Sequence, residues 1–200
     1  MIRSSVLLMC LAACSSSPPP ASKPFVPPPL PPVAVSEAAG LAAFDTMRGV
    51  FQHPRCQNCH PSGDAPLQGD NGQVHNQNVL RGPDGAGVAG LLCTTCHGAA
   101  NPPASYGVHI PPGTTKPWRM PGAAMPMVFV GQTPAALCAQ LKDHARNGGR
   151  DLAAVRTHLD DPLVTWAWDP GNGRTPVPTS RADFLRAFET WASAGAPCPH

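Results

Sequence analysis

The chain predicts a mainly α domain in which few helices are joined by long irregular loops, and three observations carry that reading. Four segments place apolar residues at helical spacing behind a capping residue. No segment sustains the apolar/polar alternation of a half-buried strand. Glycine (19) and proline (27) are abundant while charged residues make up only 13% of the 200-residue chain, so most of 61–131 reads as loop. A domain with so few periodic segments draws cohesion from more than helix packing. In small exported domains that source is disulfides, a metal or a large cofactor.

The N-terminus sets the compartment. Residues 1–13 carry one positive charge at Arg3 and an apolar run from Val6 to Leu11, too short to span a bilayer, and read as a removable signal peptide. Leu11-Ala12-Ala13-Cys14 resembles the lipobox of bacterial lipoproteins, in which Cys14 becomes the lipid-bearing first residue. The alternative is an ordinary secretory signal in which Cys14 is incidental; Cys10 follows Leu8-Met9, a poor cleavage site. Residues 14–35 are Ser/Pro-rich without periodicity and read as a semi-extended tether. The expected domain is therefore 36–200, in the periplasm, lipid-anchored to a bacterial membrane and exposed to oxidising conditions. A net charge of +2 with scattered basic residues gives no footprint for nucleic acid.

The elements follow in order. Over 36–51, Leu41, Phe44, Met47 and Phe51 share a face behind Ser36 as N-cap. Thr133-Pro134 opens a second helix with the stripe Leu137, Leu141 and Ala145, stopped by Gly148-Gly149. Asp151 caps a third, with Leu152, Val155 and Leu159 inward. Ser180 and Asp183 make the capping box of the fourth, whose Phe184, Phe188 and Trp191 form an aromatic stripe ending at Gly195.

Between these helices the chain writes Cys-x-x-Cys-His twice, at Cys56, Cys59, His60 and at Cys93, Cys96, His97. Two thiols three positions apart on a helical turn can reach the two vinyl groups of a haem, and the next residue then offers its imidazole to the iron. The motifs predict two covalently held haem c groups with His60 and His97 as proximal ligands. A zinc site is the poorer reading, because 33 residues separate Cys59 from Cys93 and zinc needs no histidine after both pairs. Thiol–disulfide exchange needs one motif on an α/β scaffold, and plain disulfides leave the repeated histidine unexplained.

The opposite side of each iron decides between electron transfer and ligand binding. His75 lies in the loop between the motifs, long enough after His60 to wrap a haem edge; His158 falls on the inward side of the third helix. His109 sits in a stiff apolar setting before Pro111-Pro112, and Met125 belongs to a Pro-rich loop resembling the methionine loop of small c-type cytochromes. These four are the distal candidates, in that order. Cys138 and Cys198 remain, either as a disulfide or with Cys138 as a buried free thiol. Trp166 and Trp168 read first as core residues and second as shields over a haem face.

Several stretches resemble a bacterial family labelled isoquinoline 1-oxidoreductase subunit. They are Gly69-Asp70 with His75 and Arg81-Gly82, "LCAQLKD" at 137–143, "NGGR" at 147–150, "DPLVTWAWDPGNGRTPVP" at 161–178 and "WASAGAPCP" at 191–199. The resemblance implies a small cytochrome c-like di-haem domain that accepts electrons from a molybdenum hydroxylase-type oxidoreductase and passes them to other cytochromes or the respiratory chain. The label implies association with such an enzyme rather than catalysis by this chain. The rival reading is a di-haem peroxidase-like enzyme or a haem sensor with one open iron.

Overall fold

The computed structural model describes residues 34–200. The signal peptide, Cys14 and nearly all of the tether fall outside the described residues. Six helices are present: α1 (Glu37–Phe51), α2 (Pro54–Gln57), α3 (Pro134–Lys142), α4 (Leu152–His158), α5 (Pro162–Thr165) and α6 (Arg181–Ser193). Among the described residues helix, 3-10 turns included, accounts for 38% and strand for 5%, so the domain is mainly α with long connections, as the composition predicts. The strands form two minimal antiparallel hairpins, β1 (Leu67–Gln68) with β2 (Gln73–Val74) and β3 (Gly87–Val88) with β4 (Leu91–Leu92).

Capping chemistry places the helix starts where the residue types demand. Ser36, Thr133, Asp151 and Ser180 each accept a hydrogen bond from the backbone N–H three residues on. The core lies between α1 and α6. Phe44 and Trp191 pack with ring centroids 5.9 Å apart, and Phe51 meets Phe184 edge-on at 5.7 Å. The helices approach so closely that a Cβ on Gly40 would lie 2.6 Å from the Cβ of Ala194. Leu137, Cys138 and Leu141 of α3 close the third side, and Cys138 is joined by a disulfide to Cys198.

One expectation is corrected. The second helix ends at Lys142, so Ala145 does not extend its stripe, and Gly148-Gly149 belong to the following loop. Asp143 takes an extended conformation (ψ 107°) and its carboxylate accepts from the Ala145 N–H, a local bond that competes with the next helical turn. The loop is then organised by buried Asn147, which donates to the carbonyls of Leu141 and Arg150 and accepts from the Arg150 N–H, each at 2.8 Å.

Candidate functional site

Both Cys-x-x-Cys-His stretches fold into the same local shape. His53 caps α2 through Nδ1, Pro54 opens it, and the His60 N–H returns to the Cys56 carbonyl at 3.2 Å. At the second motif a 3-10 turn over Cys93–Thr95 ends in the equivalent bond, from the His97 N–H to the Cys93 carbonyl at 3.0 Å. A single helical turn thus brings two thiols three positions apart to one side and sets the histidine beneath them. All four thiols are unpaired, in contrast to Cys138–Cys198. Burial pushes the Cys56 thiol up to about 12, with Cys59 adding to the rise; burial and then Cys93 push Cys59 up to about 11. These groups are held as neutral thiols, and Cys93 lies close enough to Cys59 to contribute to the rise in its pKa.

The imidazoles are oriented from behind. His60 Nδ1 donates to the Met127 carbonyl at 2.7 Å, and His97 Nδ1 donates to the Pro112 carbonyl at 2.8 Å. A ring whose Nδ1–H is tied to a backbone carbonyl offers Nε2 as a lone-pair donor, which is how protein scaffolds prepare a histidine for a metal. Burial lowers both pKa values to about 4, so both rings are neutral across the physiological range. Phe129 stacks on His60 at 4.0 Å and Trp118 stacks on His97 at 4.6 Å, with interplanar angles of 15° and 9°.

Distant residues fix those carbonyls. Gln140 of α3 is 1% exposed; its amide donates to the Val128 carbonyl and accepts from the Val128 N–H, pinning the segment that carries Met127 and Phe129. At the second site, Gly113 passes so close to Gly98 that a Cβ would lie 2.3 Å from the Gly98 carbonyl oxygen, and this approach brings Pro112 over His97.

The first motif opens into a cleft of about 530 Å3, within the range of cofactor sites. Phe51, Cys56, Cys59, His60, Leu141, Val155, Leu159, Ala167, Trp168 and Phe184 line it, and His158 from the last turn of α4 projects into the same space. Its charged lining is four cations, Arg55, Lys116, Arg119 and Arg150, against one carboxylate, Asp161, which pairs with Lys116. Arg55 is 4% exposed, bonds Gly69 O at 2.7 Å and Asp70 at 2.5 Å, and lies over Trp166 at 5.8 Å. Its Nε has no hydrogen-bond partner among the described residues. Desolvation lowers the Arg55 pKa and Asp70 offsets part of that fall.

The distal candidates separate in space. His158 shares the cleft with His60. His75, which the sequence assigns to neither iron, has its ring 6.2 Å from that of His97. His109 is exposed, at φ 59°, its N–H bonded to Asn172 O, near Asp70. Met125 lies at the edge of the first cleft and is 38% exposed, whereas Met120 in the same cleft is 5% exposed. The two tryptophans divide: Trp168 packs on Phe184 at 5.4 Å and donates to Thr179 O, the core role, while Trp166 meets Trp118 edge-on at 5.0 Å. Trp118 and Gln140 were not legible as site residues; a tryptophan between Pro117 and Arg119 and a glutamine inside a helix carry no pattern of their own.

Comparison with known protein families, with curated proteins and with solved structures finds no match.

Proposed function

We propose that this chain is a di-haem cytochrome c, exported and lipid-anchored in the periplasm, that relays single electrons between redox partner proteins. On the resemblance noted above, the donor is a molybdenum hydroxylase-type oxidoreductase and the acceptor another cytochrome or the respiratory chain. Cys56 and Cys59 would hold one haem with His60 as proximal ligand, and Cys93 and Cys96 the other with His97. The observation that carries this reading is the matched treatment of the two motifs: unpaired thiols on one helical turn, followed by a histidine whose Nδ1 is tied to a backbone carbonyl. Among the described residues no three His, Cys, Asp or Glu side chains converge into a group that could hold a metal ion.

Two further observations fit the group. The first cleft is apolar within and cationic at its lining, which suits a macrocycle carrying two carboxylates. The His75 ring lies 6.2 Å from the His97 ring and His158 lines the cleft that holds His60, so His75 and His158 are the favoured distal ligands. The haems supply one-electron exchange at iron. The chain binds them, orients the imidazoles through Met127 and Pro112, and excludes water from the first site with Phe129, Phe184 and Trp168.

The test is haem stoichiometry. Pyridine haemochrome assay of the exported protein is expected to give two haems per chain, falling to one in Cys56→Ala/Cys59→Ala and in Cys93→Ala/Cys96→Ala. A colourless wild-type band on a haem-stained denaturing gel sinks the proposal. Electron paramagnetic resonance of the oxidised protein then reports the ligand sets, with one low-spin signal lost in His158→Ala and the other in His75→Ala.

A further inference from the structure

The two distal histidines are held in different ways. His158 closes the last turn of α4, a helix capped by Asp151 and fastened to the core by Val155 and Leu159, which are 7% and 6% exposed. Its Nδ1 lies 3.9 Å from Asp161, itself the N-cap of α5 and the partner of Lys116. The backbone of His158 is thus held by a helix that forms one wall of the cleft.

His75 stands at the root of an exposed loop. On one side it follows β2, which pairs with β1 through two residues, and the His75 N–H adds one bond to the Pro66 carbonyl at 2.9 Å. A hairpin so short is marginal without support. On the other side the Asn76 N–H bonds Gln68 Oε1 at 3.2 Å, and the next attachment is Arg81, whose N–H bonds Asp64 O and whose buried guanidinium bonds the carbonyls of Gly63 and Pro121. Between these anchors Asn76, Gln77, Asn78 and Leu80 are exposed. Gln77 and Asn78, directly after the ligand turn, take left-handed φ values of 62° and 52°. Two consecutive non-glycine residues in this region make a strained turn. The surroundings are open as well: Cys96 is exposed, His97 is half-buried, and Val74 and Leu92 are 63% and 49% exposed.

We infer that His75 is an exchangeable ligand, displaced from the second site by small neutral molecules of the carbon monoxide or nitric oxide class, while His158 stays in place at the first. This rests on the di-haem reading and gives it an asymmetry: a first site whose distal histidine stands on a packed helix, suited to electron transfer, and a second able to take a diatomic molecule. No redox step is involved. One coordination bond, from the imidazole, is exchanged for another, and His75 leaves as a neutral ring on the end of its loop.

The test is carbon monoxide titration of the dithionite-reduced full-length protein, followed in the Soret difference spectrum and expressed per haem counted by pyridine haemochrome. The wild type is expected to bind one carbon monoxide per two haems, and His158→Ala two. His75→Ala should still bind one, at least about ten-fold more tightly, because the distal ligand no longer occupies the position for most of the time. Two haems per chain with no carbon monoxide bound by the wild type overturns the inference. So does binding at both irons of the wild type, or a single equivalent in His158→Ala. A haem count of zero instead overturns the di-haem reading itself, so the two failures are distinguishable.

Discussion

Replacing Cys138 and Cys198 together by alanine tests how the cleft is held. The bridge closes a loop of 60 residues running from α3 to the chain's end, and that loop contains α4 with His158, the Trp166–Trp168 turn and α6. Cross-linking a loop of this length removes about 4 kcal/mol of chain entropy from the unfolded state. Cys138 is fully buried, so its truncation adds about 1 kcal/mol of lost packing. The chain's end keeps other attachments: Lys142 Nζ donates to Ala196 O at 2.8 Å and Trp191 Nε1 to Pro197 O at 2.9 Å. The variant is therefore expected to retain the fold and, on the di-haem proposal, its haem content, but to melt at lower temperature. For a domain of this size a loss of 4–5 kcal/mol corresponds to a fall in Tm of about 10–15 °C. Far-UV circular dichroism and Soret absorbance should report the same transition, since α4 and α6 wall the first site. A reversible melt lowered by less than about 3 °C would refute the view that the bridge fastens this wall.

Asp70→Asn removes the carboxylate that pairs with buried Arg55 and accepts from the Thr175 N–H and hydroxyl. Burial alone would raise this carboxyl, but the Thr175 hydrogen bonds and the Arg55 charge outweigh it and hold the pKa below 3.8. Wild type should exceed the variant by about 1–2 kcal/mol at pH 7, a figure reduced because the carboxylate is 40% exposed. That advantage is full above pH 3.8 and is lost as pH falls through the folded-state value; urea melts showing an equal gap at pH 7 and well below pH 3 would contradict it. Trp118→Leu removes the ring stacked on His97 at 4.6 Å. It should cost about 1 kcal/mol and shift one of the two low-spin resonance signals while leaving the other unchanged; an unaltered spectrum would mean that Trp118 does not set the ring plane.

The capped helices were legible because a cap is a local event. Ser36, Thr133, Asp151 and Ser180 each satisfy an N–H three residues away, and the apolar stripes behind them needed only their period. The end of α3 was not legible, because Asp143 bonding to Ala145 and Asn147 bonding across the loop leave no periodic trace. Gly148-Gly149 has the composition of a stop signal but comes after the helix is already finished.

The candidate site divides along the same line. Spacing alone determined both Cys-x-x-Cys-His turns, since two thiols and an imidazole on one helical turn are set by neighbours in sequence. The tertiary structure decided what stands behind and opposite each histidine. Met127 and Pro112 contribute carbonyls, which every residue owns, and Gln140 acts through Val128 from a helix 80 residues after His60. His158 reaches the His60 cleft, and His75 the neighbourhood of His97, by routes that only the packing of α3, α4 and the β1–β2 hairpin lays down. Local chemistry is written in neighbouring residues; which distant histidine meets which motif depends on how the core folds the chain between them.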